Sequence, residues 1–182
     1  ILAVLVCISL QSFGQQSFKL LPNDITQNYL SVRYQDLTPA GDYISVGGYR
    51  DSLTVSERGF ISLVDPSSGS TVWGWLFEPS TLLWSVARMS NGDFVTVGQV
   101  IQPVTGSFAF VARFGGNGAF LWRVNLSTPT DLRCVAESPD GNIWTGGSIG
   151  GKELLTCFNP AGTILWSKNP PESVSSIISH LM

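Results

Sequence analysis

A glycine followed four residues later by a tryptophan occurs three times in this chain of 182 residues, and this repeat restricts the fold more than any other feature. The pairs are Gly69 and Trp73, Gly118 and Trp122, and Gly162 and Trp166. Each pair closes a longer block, and the blocks span residues 40–73, 91–122 and 140–166. Because a period of about 20–50 residues is typical of stacked or circular architectures, we expect copies of one structural unit.

Each block has the pattern of four short strands. In the second block these are "SVARM" (85–89), "FVTVG" (94–98), "FAFVARF" (108–114) and "AFLWRVNL" (119–126), with a nine-residue loop at 99–107. The "GG" pairs at 47–48 and 146–147 are interpreted as strand ends. Four antiparallel strands per repeat are typical of a β-propeller blade. We therefore predict an all-β chain, a β-propeller fragment with about three four-stranded antiparallel blades and the start of a fourth.

The predicted blades divide the repeat region at 31–182 into about 31–80, 81–130 and 131–174, with a truncated blade from 175. Residues 15–30 are predicted to be a lead-in strand that closes the ring, because "SFKLLPNDITQNYLSV" (17–32) resembles "FLWRVNLSTPTDLRCV" (120–135). Propellers have about four to eight blades, so we expect this chain to be part of a longer protein.

The first residues, "ILAVLVCISL", form an apolar run with the length of a signal-peptide core. Ser12 and Gly14 are small residues at the positions that a signal peptidase requires for a cut before Gln15. The run is too short for a membrane-spanning helix. We predict that residues 1–14 are an N-terminally truncated signal peptide, with a buried first strand as the alternative. The mature chain is then extracellular or at the cell surface, or in the periplasm.

The stretch "LVDPSSGSTVW" (63–73) resembles the tryptophan-docking motif of quinoprotein-type propellers, in which an Asp, a Gly and a Trp follow at intervals of four. The other two blocks have a turn one residue shorter, with Gly115 and Asn159 in place of the Asp. In that family the Trp ring packs on the glycine turn of the neighbouring blade. The resemblance implies the same structural role for the three Gly–Trp pairs, and an aromatic platform for a ligand is the alternative.

Residues 31–176 also resemble propeller repeats of large secreted proteins from Bacteroidota-type bacteria, with a "DG-aromatic-x-x-x-GG" and a "G-x-x-LW" pattern. This resemblance implies an architecture and leaves the activity open, because one fold hosts many functions.

Composition argues against several kinds of function. The 10 Lys and Arg residues are scattered and the net charge is −3, which does not fit a nucleic-acid surface. The single His, His180, and the Cys positions do not form a catalytic triad or a zinc motif. Accordingly we predict no catalytic residue, no cofactor and no metal. Cys7 would leave with the signal peptide, whereas Cys134 and Cys157 are two buried thiols or, alternatively, a disulfide.

Three aspartates, Asp42, Asp93 and Asp140, stand beside turn glycines, where such side chains usually bond the local backbone. We expect the functional surface on the loops between the second and third strands and between blades. Their charged cluster of Arg50, Asp51, Glu57 and Arg58 is predicted to contact a partner, and a solvated loop is the alternative.

We therefore expect a non-catalytic β-propeller module that binds a protein or a glycan or serves as a scaffold. The alternative is the N-terminal part of a propeller-based hydrolase, lyase or quinoprotein whose catalytic residues lie outside this sequence. A quinoprotein needs ligands on its inner strands, and Arg88, Arg133 and Glu137 do not provide a matching set.

Overall fold

A computed structural model describes residues 29–50, 56–128 and 130–169. The strands within these ranges are β1 (Tyr29–Leu37), β2 (Tyr43–Arg50), β3 (Glu57–Asp65), β4 (Ser70–Pro79), β5 (Thr81–Arg88), β6 (Phe94–Gln102), β7 (Gly106–Phe114), β8 (Phe120–Asn125), β9 (Thr130–Glu137), β10 (Ile143–Ile149), β11 (Lys152–Phe158) and β12 (Ile164–Lys168). No helix in these ranges has the length and apolar character of a membrane-spanning segment.

The strands form three antiparallel sheets of four, in the orders β1-β2-β3-β4, β5-β6-β7-β8 and β9-β10-β11-β12. Each sheet is one sequence repeat, and strands that are consecutive in the chain are neighbours in the sheet. The prediction of an all-β chain made of four-stranded antiparallel units is therefore confirmed. The proposed lead-in segment at 15–28 and the proposed fourth blade from 175 lie outside the described residues.

The hairpin between β6 and β7 is longer than predicted. The pairing continues through Val100 with Phe108 and Gln102 with Gly106, so the nine-residue loop predicted at 99–107 is wrong and the connection is residues 103–105. The polar residues in this stretch face solvent on an extended hairpin. An alternation of apolar and polar residues does not distinguish such a hairpin from a loop.

The sheets stack face to face in chain order. Strand β5 packs against β1, β2 and β3, and strand β9 packs against β5, β6 and β7. Neighbouring residues of one strand serve different interfaces: Phe110 is buried against the first sheet, whereas Val111 is buried against the third. The middle sheet is therefore apolar on both faces. The first strands of the sheets contact one another, which places β1, β5 and β9 on the inner side of the array.

A β-bulge precedes the repeated tryptophan in each outer strand. The bulged residues, which the pairing with the neighbouring strand skips, are Val72, Leu121 and Leu165. They are 57%, 49% and 50% exposed. An extra residue on one strand reverses which face the following side chains meet. Phe120, before the bulge, stacks on Trp75 of the first sheet at a centroid distance of 5.6 Å, whereas Trp122, after it, contacts the third sheet.

Two of the repeated tryptophans contact a glycine turn in the next sheet. The Nε1–H of Trp73 donates a hydrogen bond to Gly116 O at 3.1 Å, and a Cβ built on Gly118 would lie 2.7 Å from Cγ of Trp73. Trp122 repeats this arrangement in the third sheet: Nε1 donates to Pro160 O at 3.1 Å, and the indole lies against Gly162. Trp166 packs edge-on against Trp144 of its own sheet, at a centroid distance of 5.0 Å.

Alanine substitutions of two equivalent turn glycines should separate backbone strain from the tryptophan contact. Gly69 and Gly118 have φ angles of +67° and +83°, so a side chain strains the backbone at both, by about 1–2 kcal/mol. Of these two glycines, only Gly118 lies against an indole ring, that of Trp73. We expect Gly118→Ala to lower the free energy of unfolding by a further 1–3 kcal/mol or so, measured by urea denaturation of the full-length protein. Equal losses in the two variants would contradict the contact.

Candidate functional site

An open polar cleft lies between the second and third sheets, at the end of the array where the loops between second and third strands are found. Its volume is about 340 Å³. The lining residues come from β6, β7, β9, β10 and the turn after β10, and they are Gln99, Ser107, Thr130, Asp131, Arg133, Ser148 and Gly150. The functional surface was expected on these loops, but none of the lining residues was predicted as a site residue.

A charge pair forms one wall of this cleft. Arg133 donates to Oδ2 of Asp131 through Nε at 2.6 Å and lies 2.5 Å from it through Nη2. The second carboxylate oxygen of Asp131, Oδ1, is buried and accepts no hydrogen bond from the described residues. A buried acceptor without a donor costs about 1–3 kcal/mol, so a ligand donor at this oxygen would be favoured.

A tight hairpin turn borders the cleft. Gly150 and Gly151 connect β10 to β11 with φ angles of +57° and +77°, and positive φ at both positions is the geometry of a two-residue type I′ turn. Space for a Cβ is open at both residues. Because this turn has only two residues and no side chains, it leaves this side of the cleft accessible to solvent.

The cleft is lined by polar residues at two positions that are apolar or glycine at the junction of the first and second sheets. Leu82 on β5 lies two residues before the bulged Trp84, and Asp131 on β9 lies two residues before the bulged Arg133. The two residues therefore occupy equivalent positions in their repeats. Leu82 is buried, and its side chain lies beside Gly48 together with the carboxylate of Glu57. In the next groove the corresponding residues are Asp131 and Gln99, which are polar and leave a cleft.

The inner strands carry bulges at equivalent positions. The skipped residues are Arg33 on β1, Trp84 on β5 and Arg133 on β9. A bulge re-aims its side chain, and here it brings three large side chains from three sheets together. The guanidinium carbon of Arg33 lies 4.7 Å from the centre of the Trp84 ring, and that of Arg133 lies 3.7 Å from it.

A glycine on each second strand makes room for these bulges. A Cβ on Gly47, Gly98 or Gly147 would lie 1.9, 2.4 or 1.8 Å from the carbonyl oxygen of Ser31, Leu82 or Asp131. These contacts are far shorter than any real Cβ contact, so the bulged backbone requires glycine. The prediction that the "GG" pairs end strands is wrong: 47–48 lies within β2 and 146–147 within β10. Gly47, Gly98 and Gly147 recur at equivalent positions of the three repeats. This recurrence was the sequence signal for the cluster of Arg33, Trp84 and Arg133, and the cluster was not predicted.

The predicted partner-binding cluster lies away from the cleft. Arg50 and Glu57 stand opposite each other in the β2–β3 strand register, and Arg58 donates from Nε to Phe77 O at 2.7 Å. Asp51 is outside the described residues. Partner binding by this cluster stays a prediction.

The turn aspartates differ in their contacts. Asp93 accepts hydrogen bonds from Nε and Nη2 of Arg113, at 3.0 and 2.7 Å, and from Nδ2 of Asn91, so its recorded partners are side chains and not the local backbone. Asp140 accepts from the Ser138 hydroxyl, and this hydrogen bond is the main cause that lowers the pKa of its carboxyl. In the described part of the chain, no three His, Cys, Asp or Glu side chains are grouped as metal ligands would be.

The two cysteines of the repeats are buried thiols in this structure, not a disulfide. Cys134 donates from Sγ to Gly146 O at 3.6 Å. Burial raises the pKa of both the Cys134 and the Cys157 thiol, which keeps them protonated at neutral pH.

Of the inner-strand residues considered for a quinoprotein site, two make structural contacts. Glu137 joins the second and third sheets by accepting from the backbone N–H and the hydroxyl of Ser90. Arg133 belongs to the cleft and to the Trp84 contact, and Arg88 is exposed on β5.

Comparison with known proteins bears on the fold. The chain is similar to the Dos1 propeller, with a TM-score of 0.55 and 14% sequence identity over 82% of this chain. A protein of unknown function from Bacteroides caccae is similar over 60% of this chain, with a TM-score of 0.48 and 16% identity. This chain spans 36% of the length of each of these two structures. Neither a protein-family model nor a curated protein matches.

The three stacked four-stranded sheets and the similarity to the Dos1 propeller define the chain as a β-propeller, as predicted. The four-stranded antiparallel sheets are its blades.

Alanine at Gly98 should disrupt the inner bulge of the second blade. Its Cβ would overlap Leu82 O at 2.4 Å and the Leu83 side chain at 2.6 Å, so we expect a loss of about 2–4 kcal/mol in unfolding free energy. Gly74→Ala on the outer strand is the control, because its Cβ would meet nothing closer than 3.6 Å. Urea denaturation followed by circular dichroism measures both variants. Similar stabilities for the two would contradict the requirement for glycine.

Proposed function

We propose that this β-propeller is a non-catalytic binding module, acting outside the cell or at its surface, and that its ligand is a glycan held in the polar cleft between the second and third blades. The observation that carries the proposal is the cleft itself, which is open, faces the loop side and is lined by hydroxyl, amide and charged groups. Binding residues of rigid β scaffolds are concentrated at such loop ends.

The chemistry of the lining favours a carbohydrate. Sugar hydroxyls both donate and accept hydrogen bonds, and the cleft provides both kinds of partner in Gln99, Ser107 and Ser148. The unused acceptor Oδ1 of Asp131 fits a sugar hydroxyl as donor. A protein loop with polar side chains would use the same groups, and it is the other outcome that a binding screen should reveal.

The cleft lies at the junction of the second and third blades. At the corresponding position between the first and second blades, the apolar side chain of Leu82 and the carboxylate of Glu57 both lie beside Gly48. The polar lining proposed for the ligand is therefore particular to the second and third blades.

Export from the cell is part of the proposal and is supported by the sequence pattern of residues 1–14. A bacterial source of the Bacteroidota type is supported by the resemblance of the repeats. N-terminal sequencing of the exported protein tests the cut before Gln15.

We also propose that the repeated tryptophans fasten the blades in the manner of quinoprotein-type docking motifs. The hydrogen bonds of Trp73 and Trp122 to the next blade, and the close approach of both rings to turn glycines, support this role. On this proposal Trp166 docks on a blade beyond the described residues.

Loss of one cleft side chain should weaken glycan binding. A glycan array with the full-length protein identifies the ligand, and isothermal titration then measures its affinity. We expect Gln99→Ala to lower the affinity about fivefold to tenfold, because one direct hydrogen bond contributes about 1 kcal/mol. Gln102→Ala, on the same strand but outside the cleft lining, is the matched control and should bind like wild type.

Three outcomes would contradict the glycan proposal. They are an array without binding, equal losses in the two glutamine variants, and cleavage of the bound glycan. The last outcome would favour the propeller-based enzyme instead.

Removal of a docking indole should destabilise the blade array without changing the cleft lining. Trp122 is half-buried, and loss of its ring contact and its hydrogen bond to Pro160 O should cost about 2–4 kcal/mol of unfolding free energy. Leu121→Ala, at the adjacent exposed bulge, should cost much less. Urea denaturation of both full-length variants gives the comparison. A Trp122→Ala protein as stable as Leu121→Ala would rule out a fastening role.

A further inference from the structure

The inner bulges assemble an unusual group of charges on the axis side of the blades. Guanidinium groups from the first and third blades contact one indole, that of Trp84, which the second blade supplies. The resemblances do not account for this group, and the proposed glycan cleft includes its Arg133 but neither Arg33 nor Trp84. We propose that Arg33, held on Trp84, is the centre of a binding site for an oxyanion, that is, a carboxylate, sulfate or phosphate group.

The charge balance of the group leaves Arg33 as its excess positive charge. Arg133 is neutralised by Asp131 at 2.5 Å. Arg33 has no carboxylate within ion-pair distance among the described residues, and it is exposed to solvent. Two guanidinium groups and one carboxylate therefore give a local charge of about +1 in a chain whose overall charge is −3.

Other arginines of the same chain show the contrast. Arg123 also stacks on an aromatic ring, 3.9 Å from the centre of Phe110, but Glu78 neutralises it at 2.5 Å. Arg113 contacts Asp93 at 2.7 Å. Arg123 is thus stacked and neutralised and Arg113 is neutralised without a recorded ring contact, whereas Arg33 is stacked and exposed with no ion pair among the described residues.

The contact with Trp84 prepares Arg33 for an anion. An arginine that rests on an aromatic face keeps its planar N–H edge available for two parallel hydrogen bonds to oxygen atoms. Ordering of a free arginine costs side-chain entropy, and this cost falls when the indole already holds the guanidinium. The buried Nε1–H of Trp84 has no acceptor among the described residues, so the group also has more donors than these arginines alone provide.

The probes are inorganic phosphate, inorganic sulfate and glucuronate, each titrated into the full-length protein at constant ionic strength against sodium chloride. The readout is tryptophan fluorescence, because sulfate and phosphate stabilise most proteins by exclusion and so shift melting temperatures without a site. A saturable change that chloride does not produce is expected. The change should disappear in Trp84→Phe, which removes the indole but keeps an aromatic ring. Phosphate and sulfate report a free-anion site, whereas a response to glucuronate alone reports the acid group of a saccharide.

Arginine variants test which group binds. Arg33→Gln should weaken the anion affinity at least about tenfold, since hydrogen bonds to charged groups contribute strongly. Arg33→Lys should recover part of it, because it keeps the charge and loses the two-pronged geometry. Arg88→Gln, an exposed arginine on β5, is the control and should bind within about twofold of wild type.

Absence of a saturable change with all three anions would overturn the proposal. Equal binding by wild type and Arg33→Gln would also overturn it, and would show that Arg33 covers Trp84 as a structural cap. If Arg33→Gln does not fold, the comparison of Arg33→Lys with wild type decides, because identical affinities would rule out a role for the guanidinium. The Arg33 variants distinguish the two proposals, because Arg33 does not line the cleft, whereas Arg133 belongs both to the cleft and to the Trp84 group.

Discussion

Burial of both faces of a sheet is the constraint on which this structure depends. The middle blade places Phe110 against the first blade and Val111 against the third, and both side chains are fully buried. A four-stranded sheet with two apolar faces is not stable alone in water, so the middle blade requires both of its neighbours. The stacking of the described blades is thus part of the folding of the middle one.

Each blade has a β-bulge in its inner strand and a β-bulge in its outer strand, and these bulges determine which side chains meet the neighbouring blades. The outer bulge at Leu121 lets one strand send Phe120 toward the preceding blade and Trp122 toward the following blade. The inner bulge at Trp84 turns a side chain out of the alternation, at the expense of a close backbone approach that only Gly98 tolerates. The outer bulge therefore serves cohesion, and the inner one presents side chains on the axis side.

The sequence was sufficient for the architecture because the repeat carries it. The glycine–tryptophan spacing and the turn residues predicted four strands per blade without any knowledge of contacts. The same reasoning missed the extended β6–β7 hairpin, since polar residues such as Gln102 occur equally in loops and in exposed strands. The grouping of the bulged residues Arg33, Trp84 and Arg133 was missed for another reason. A bulge breaks the two-residue alternation, and the face of a bulged side chain cannot be read from a pattern that assumes alternation.

The blades share the features that form their sheets and interfaces, and they differ in the side chains that are available for binding a ligand. Position by position, the inner strands keep the bulge and the facing glycine, yet the bulged side chain is Arg33, Trp84 or Arg133. The residue two positions earlier is the buried, apolar Leu82 in the second blade and the polar Asp131, which lines the cleft, in the third. Repeats under a purely structural demand would favour the apolar residue, because Asp131 leaves a buried oxygen without a donor among the described residues. The departure from the repeat, more than the repeat itself, locates the chemistry of this propeller.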